Sequence, residues 1–302
     1  MTTFSPRPST VSADRLPRLG LVLGAGGVRG CAHAGAVSVL HEAGIRPDLV
    51  VGASVGAIFG LAVAAGVTAE RMAQVIHDSG QLDLVRFYFA GRLRTDRRNP
   101  IARLVAEAGD GKTFADLPLP FAVLATDMET GEPTVLDSGP VLPAVEASIA
   151  LPFIARPVEL GGRFYVDGGL LDTAPVRVAR KMGAGWVIAI CLGNNYSAPR
   201  LFRKRPWTRQ ILERLGEAGE LTAARFRDQV RFSCRLCAAT FDPPLPAQDA
   251  DIAIWPEFGR IGPNSMVGSR FCYEQGVKAT WQAMPDIVAM ASEGRRSTEV
   301  YR

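Results

Sequence analysis

Two glycine-rich turns, each placed where a short apolar run gives way to a helical pattern, constrain the fold most. The first is Gly24-Ala25-Gly26-Gly27-Val28-Arg29-Gly30, after the apolar run 19–23 and at the head of a helical pattern over 28–43 that Gly44 stops. The second is Gly52-Ala53-Ser54-Val55-Gly56, after the β-branched run at 49–51 and before an apolar helical pattern over 55–65. Strand, helix and strand between residues 19 and 51 have the length of one βαβ unit. Such crossovers are right-handed and leave both strands pointing the same way. Both turns are therefore predicted at one edge of a parallel sheet, the edge where ligands bind in open α/β folds. Further strands are predicted over 121–126 and 133–136, in a hairpin of 158–160 and 163–166 around Gly161-Gly162, and over 186–192 and 251–255. Strands alternating with helices imply an α/β fold around a largely parallel sheet.

Composition narrows the function classes. With 302 residues, 47% hydrophobic and 21% charged, the chain reads as globular. A formal charge of +4 argues against a dedicated nucleic-acid binder. Five cysteines are too few for a disulfide scaffold, and reduced thiols in a cytoplasmic setting are the default. Residues 1–18 lack the apolar core of a secretory signal and read as a flexible tail. Residues 291–302 read as a second tail, leaving 19–290 as the folded domain. Residues 49–69 carry no charge, enough in length to span a bilayer, but four glycines and the serine turn favour a strand, a sharp turn and a buried helix.

The first turn suits an anion, because glycines expose backbone N–H groups and a helix start adds unsatisfied donors. The anion is a phosphate or a transient oxyanion; a plain helix-opening turn is the alternative. The phosphate motifs fit poorly. The dinucleotide fingerprint would need Gly where Arg29 stands, and the Gly-Lys-Ser/Thr of a Walker loop is missing.

In the second turn, a Gly-x-Ser-x-Gly between strand and helix forces Ser54 onto a strained bend with its hydroxyl exposed at the strand end. A serine nucleophile needs a base. The chain has three histidines, His33, His41 and His77, and none follows the later acids Asp127 and Asp167, so the order Ser, acid, His is hard to assemble. His33 lies in the first helix, where a packed or capping histidine is the competing reading. A carboxylate remains: Asp167-Gly168-Gly169 closes the hairpin strand, although Asp-Gly is also a common surface turn. An aspartate there needs apolar surroundings or a short hydrogen bond from the serine to act as a base near neutral pH. Cys31, just past the first turn, is a candidate for sensitivity to thiol reagents. Cys234-Arg235-Leu236-Cys237 has no second pair for zinc and reads as ordinary thiols.

The ordered set of these three glycine motifs resembles the patatin-like phospholipases, especially the bacterial ones. Ala147-Ser148-Ile149-Ala150-Leu151-Pro152, Pro175-Val176 and Asp251-Ile252-Ala253-Ile254-Trp255 also agree. The resemblance implies a three-layer α/β/α sandwich with a mainly parallel central sheet, and hydrolysis of lipid acyl esters by a Ser-Asp dyad. Ser54 would be the nucleophile and Asp167 the base. Ala25, Gly26 and Gly27 would form the oxyanion hole, supported by Arg29 and framed by Gly24, Gly30, Gly52, Gly56, Gly168 and Gly169. No cofactor or metal is implied. Ala25 and Ala53 depart from the family's usual Gly and Thr.

Two basic stretches suit an anionic membrane face, which would make the protein cytoplasmic with a peripheral hold on the inner membrane surface. Residues 86–103 carry Arg86, Arg92, Arg94, Arg97, Arg98 and Arg103 around Phe87, Tyr88 and Phe89. Residues 200–235, from Arg200 to Arg235, hold ten basic side chains against four acidic ones. Solvated helix faces or linkers are the plainer reading of both. The alternatives to an esterase are a nucleotide- or phosphate-binding α/β protein and a catalytically idle scaffold that binds lipid.

Overall fold

The structure, a computed structural model, describes residues 18–80, 83, 98–152, 155–193, 247–259 and 268–299. Eight strands among these form one mixed sheet: β1 (Leu19–Leu23), β2 (Leu49–Ala53), β3 (Phe121–Asp127), β4 (Pro133–Leu136), β5 (Val158–Leu160), β6 (Arg163–Asp167), β7 (Trp186–Ile190) and β8 (Ile252–Ile254). Pairing runs β5-β6-β3-β2-β1-β7-β8, with β4 also on β3. From β3 to β8 the pairs are parallel, while β4, β5 and β6 join antiparallel.

The register on β3 decides where the site lies. Leu124 pairs with both Ala53 of β2 and Val135 of β4. Thr126 pairs with both Pro133 of β4 and Val166 of β6. A strand has two edges, so β4 holds one edge of β3, and β2 and β6 share the other. On that shared edge β2 ends with Ala53 opposite Leu124, and β6, running the other way, ends with Asp167 opposite Ala125. The carboxyl ends of β2 and β6 meet head-on.

Alternating side chains put apolar groups on both faces of the sheet, as a buried parallel sheet requires. Leu21, Leu23, Val50, Phe121, Val123, Ile188 and Ile190 face one way. They pack against α1 (Cys31–Glu42), α2 (Val55–Ala64), α3 (Ala69–Asp78), α4 (Pro100–Gly109), α5 (Val141–Ile149) and α7 (Ser269–Glu299). Val22, Leu49, Val51, Val187 and Ala189 face the other way, against Val176 and Ala179 of α6 (Val176–Lys181). Helices on both faces make the expected three layers. Every residue of α2 is buried, which accounts for the uncharged run. Among the described residues no helix is long and apolar enough to cross a membrane.

Two expectations change. The helical pattern over 28–43 divides into a 3-10 turn, Gly27–Gly30, and α1. Helix α7 runs on to Glu299, so residues 291–299 are helical rather than a tail. Of the two basic stretches, Arg98 and Arg103 fall in the described part, both exposed, Arg103 on α4; the rest, with residues 1–17, Cys234 and Cys237, lies outside the described residues.

Candidate active site

Each element delivers one part of the site. Strand β2 stops at Ala53 because Ser54 takes φ 54° and ψ −126°, a left-handed conformation that an L residue reaches at a cost of roughly 1–3 kcal/mol. The bend ends the strand and starts α2. Gly56 is needed here for space, since a Cβ on it would run into the Leu23 carbonyl at the end of β1. The two glycine-rich turns are thereby packed against each other at one sheet edge.

Strand β6 brings Asp167 to the same point. The Ser54 hydroxyl donates to Asp167 Oδ2 at 2.6 Å, and the Gly169 N–H donates to Oδ1 at 2.7 Å. The Asp167 N–H donates to Ala150 O at 3.0 Å, and the Thr126 hydroxyl donates to Asp167 O at 2.9 Å. Ser54 is 3% exposed and Asp167 is 1% exposed, so the pair is withdrawn from bulk water. Burial pushes the Asp167 carboxyl up to about 7, against the opposing hydrogen bonds from Ser54 and Gly169. Gly169 marks where three loops converge: a Cβ there would run into Ala25 Cβ and lie 3.1 Å from Asp167 Oδ1 and 3.5 Å from Ser54 Cβ.

The first turn is fixed from three sides. Gly24 N–H donates to Ile190 O at 3.0 Å. His33, fully buried in α1, donates from Nε2 to Gly24 O at 2.8 Å. The acceptor fixes its tautomer, and burial lowers its pKa to about 4, so it stays neutral. Arg29 Nη1 donates to Leu192 O at 2.9 Å, and its guanidinium stands 4.9 Å from the centre of the Phe258 ring.

Ala25 requires a correction. Its N–H donates to Thr173 O at 2.8 Å, just beyond the Asp167 turn, so it is not available to an oxyanion in this structure. Gly26 and Gly27 stand at the mouth of the 3-10 turn, where N–H groups have no intrahelical acceptor. Cys31 is also corrected. It is fully buried and its thiol is pushed up to about 12, which leaves it unreactive in the folded chain. His77 lies exposed on α3, with Nδ1 3.8 Å from Asp78 Oδ1, away from these loops.

Residues that sequence reasoning left without a role are Ser148, Thr126, Thr173, Leu192 and Phe258. Each makes its contact with a segment distant in the sequence, which no local pattern carries. Among the described residues no group of three His, Cys, Asp or Glu side chains is placed to hold a metal ion.

A hydroxyl bonded to a buried carboxylate, beside backbone donors at a helix mouth, is the equipment for nucleophilic attack on a carbonyl. A family model described as patatin-like phospholipase matches residues 21–180, more than half the chain and the part that holds both glycine turns, Ser54 and Asp167. The chain belongs to the patatin-like phospholipase family. It is similar to an uncharacterised NTE family protein of Mycobacterium bovis, 32% identical over 200 residues, covering 65% of this chain and 54% of that protein. An uncharacterised NTE family protein of Mycobacterium tuberculosis is 31% identical over 281 residues, covering 89% of this chain and 47% of its own length. Patatin-like phospholipase domain-containing protein 6 of Mus musculus is 33% identical over 190 residues, which is 14% of that protein. This patatin-like chain thus spans about half the length of the first curated relatives it matches. Among solved structures, VipD from Legionella pneumophila aligns with a TM-score of 0.49 and 14% identity, over 88% of this chain and 66% of that one.

Proposed function

We propose that this patatin-like chain is a serine hydrolase cleaving the acyl esters of lipids, phospholipid or lysophospholipid, through Ser54 and Asp167. The 2.6 Å hydrogen bond from the Ser54 hydroxyl to the buried Asp167 carboxylate carries the reading. Ser54 Oγ attacks the ester carbonyl while Asp167 takes its proton. The oxyanion is held by the N–H groups of Gly26 and Gly27, with Arg29 bracing their loop. Asp167 returns the proton to the leaving alcohol, giving acyl-Ser54. Water then attacks the acyl group with Asp167 again as base, releasing the fatty acid and restoring Ser54.

Family membership supports this reading, as does the carboxyl held near 7. The phosphate-binding alternative loses support from the same carboxylate, which would stand beside any phosphate on the first turn. Contact with an anionic membrane face through residues 86–103 and 200–235 rests on their composition. Sedimentation with neutral and anionic vesicles across salt tests it, and equal binding to both removes the electrostatic part.

The experiment for the activity uses a short-chain aryl ester and a fluorophosphonate probe. Wild type turns over the ester and is labelled at Ser54; Ser54→Ala is not labelled; Ser54→Ala and Asp167→Asn each lose roughly 1000-fold or more in kcat. Full turnover by either folded variant defeats the dyad.

A further inference from the structure

The parallel ladder between β2 and β3 is interrupted at the residue that matters. It opens with Val50 N–H donating to Pro120 O at 2.9 Å. Two steps of two residues along both strands lead to Ser54 N–H and Leu124 O as the next partners. They do not bond to each other. The Ser148 hydroxyl stands between them: it accepts from Ser54 N–H at 3.0 Å and donates to Leu124 O at 2.6 Å. Ser148 is fully buried at the end of α5.

We infer that Ser148 is a positioning residue: its hydroxyl takes the place of one ladder rung, stops β2 from zipping further onto β3, and so holds Ser54 in its left-handed bend. A hydroxyl serves because it accepts and donates at once, satisfying both backbone groups that the interruption would orphan. The same stretch also holds the other partner, since Ala150 O, two residues on, accepts the Asp167 N–H at 3.0 Å. The end of α5 therefore sets both halves of the pair relative to β3. With Ser148 shortened, Ser54 N–H either closes on Leu124 O, flattening the bend, or is left unsatisfied. Both outcomes move Oγ from Asp167. The inference rests on the Ser54–Asp167 reading above.

The test compares Ser148→Ala, Ser148→Thr and Ser148→Cys with wild type on the aryl ester, counting active chains by fluorophosphonate labelling. Ser148→Ala is expected to lose about 10- to 100-fold in kcat per labelled site, with KM within a few-fold. Its acid limb moves to higher pH, because the Ser54 hydrogen bond that holds the Asp167 carboxyl down is weakened. Threonine keeps the hydroxyl and recovers most of the rate; cysteine, a weak hydrogen-bonding group, does not. A merely structural role would lower the labelled fraction and leave the rate per site and the pH profile unchanged, and that result overturns the inference. If Ser148→Ala does not fold, equal rates for the Thr and Cys variants overturn it instead. Failure of the underlying dyad looks different: wild type itself goes unlabelled at Ser54, or Asp167→Asn turns over normally.

Discussion

Ser54 donates to Asp167 across 113 residues of chain because the strands that carry them end against each other on one edge of β3. Neither strand alone defines the pair. Ala53 opposite Leu124 and Asp167 opposite Ala125 are successive positions on the same template, so the distance between hydroxyl and carboxylate is a property of β3.

In the proposed mechanism the buried carboxyl sets the pH dependence of the reaction. Asp167 acts as a base only when ionised, so kcat/KM with the aryl ester should rise with pH through a limb near 7, where burial has placed it. A limb near 4, the ordinary range of an aspartate, would contradict the raised carboxyl at this site.

The same burial destabilises the fold. Between about pH 4 and 7 the folded chain keeps a proton on Asp167 that the unfolded chain has released, so stability falls as pH rises through that window. Asp167→Asn removes the penalty; its Oδ1 can still accept from Gly169 N–H, while its amide nitrogen can donate to Ser54 Oγ. The inactive variant should be more stable than wild type at pH 8, by on the order of 4 kcal/mol, and lose that advantage by pH 4, as read by urea unfolding.

His33 runs in the opposite sense. Its pKa is lowered to about 4, so between about pH 6.5 and 4 the unfolded chain takes up a proton that the folded chain refuses, and stability falls as pH drops. His33→Gln retains a donor for Gly24 O. Its stability relative to wild type should increase as pH falls across that range; a constant difference in urea unfolding at pH 7 and 4.5 would contradict the assignment.

Gly169 leaves no room for a side chain. Gly169→Ala forces Ala25 and its loop away from Ser54, and kcat is expected to drop by about 100-fold while the chain remains folded. Steady-state kinetics together with a thermal melt separate this from unfolding.

Cys31 should resist modification in the native state. With Cys31 fully buried and its thiol held protonated, alkylation mapped by mass spectrometry should reach it only when denaturant is added. Rapid native labelling of Cys31 with loss of activity would show the first turn to be open.

Much of the fold was legible because side-chain period and turn chemistry are local. The apolar run before Gly24, the β-branched run before Ser54 and the Gly161-Gly162 hairpin each announced an element within a few residues of its observed bounds. Ser54 and Asp167 were legible as candidates because scarce histidine left few bases. What was hidden depends on pairing between distant segments. Nothing near Ala25 shows that Thr173 O takes its N–H, and nothing near Ser148 shows that β2 and β3 will present an open rung to it. The continuation of α7 was missed because a polar helix end and a polar tail have the same composition.

Tip-to-tip docking of β2 and β6 makes the seam between them intolerant of slippage. A shift of either strand by a single position along β3 would carry its tip about 3.3 Å and turn its side chain to the opposite face. That displacement exceeds the whole span between Oγ and Oδ2. Strand β3 works as a ruler with one usable setting.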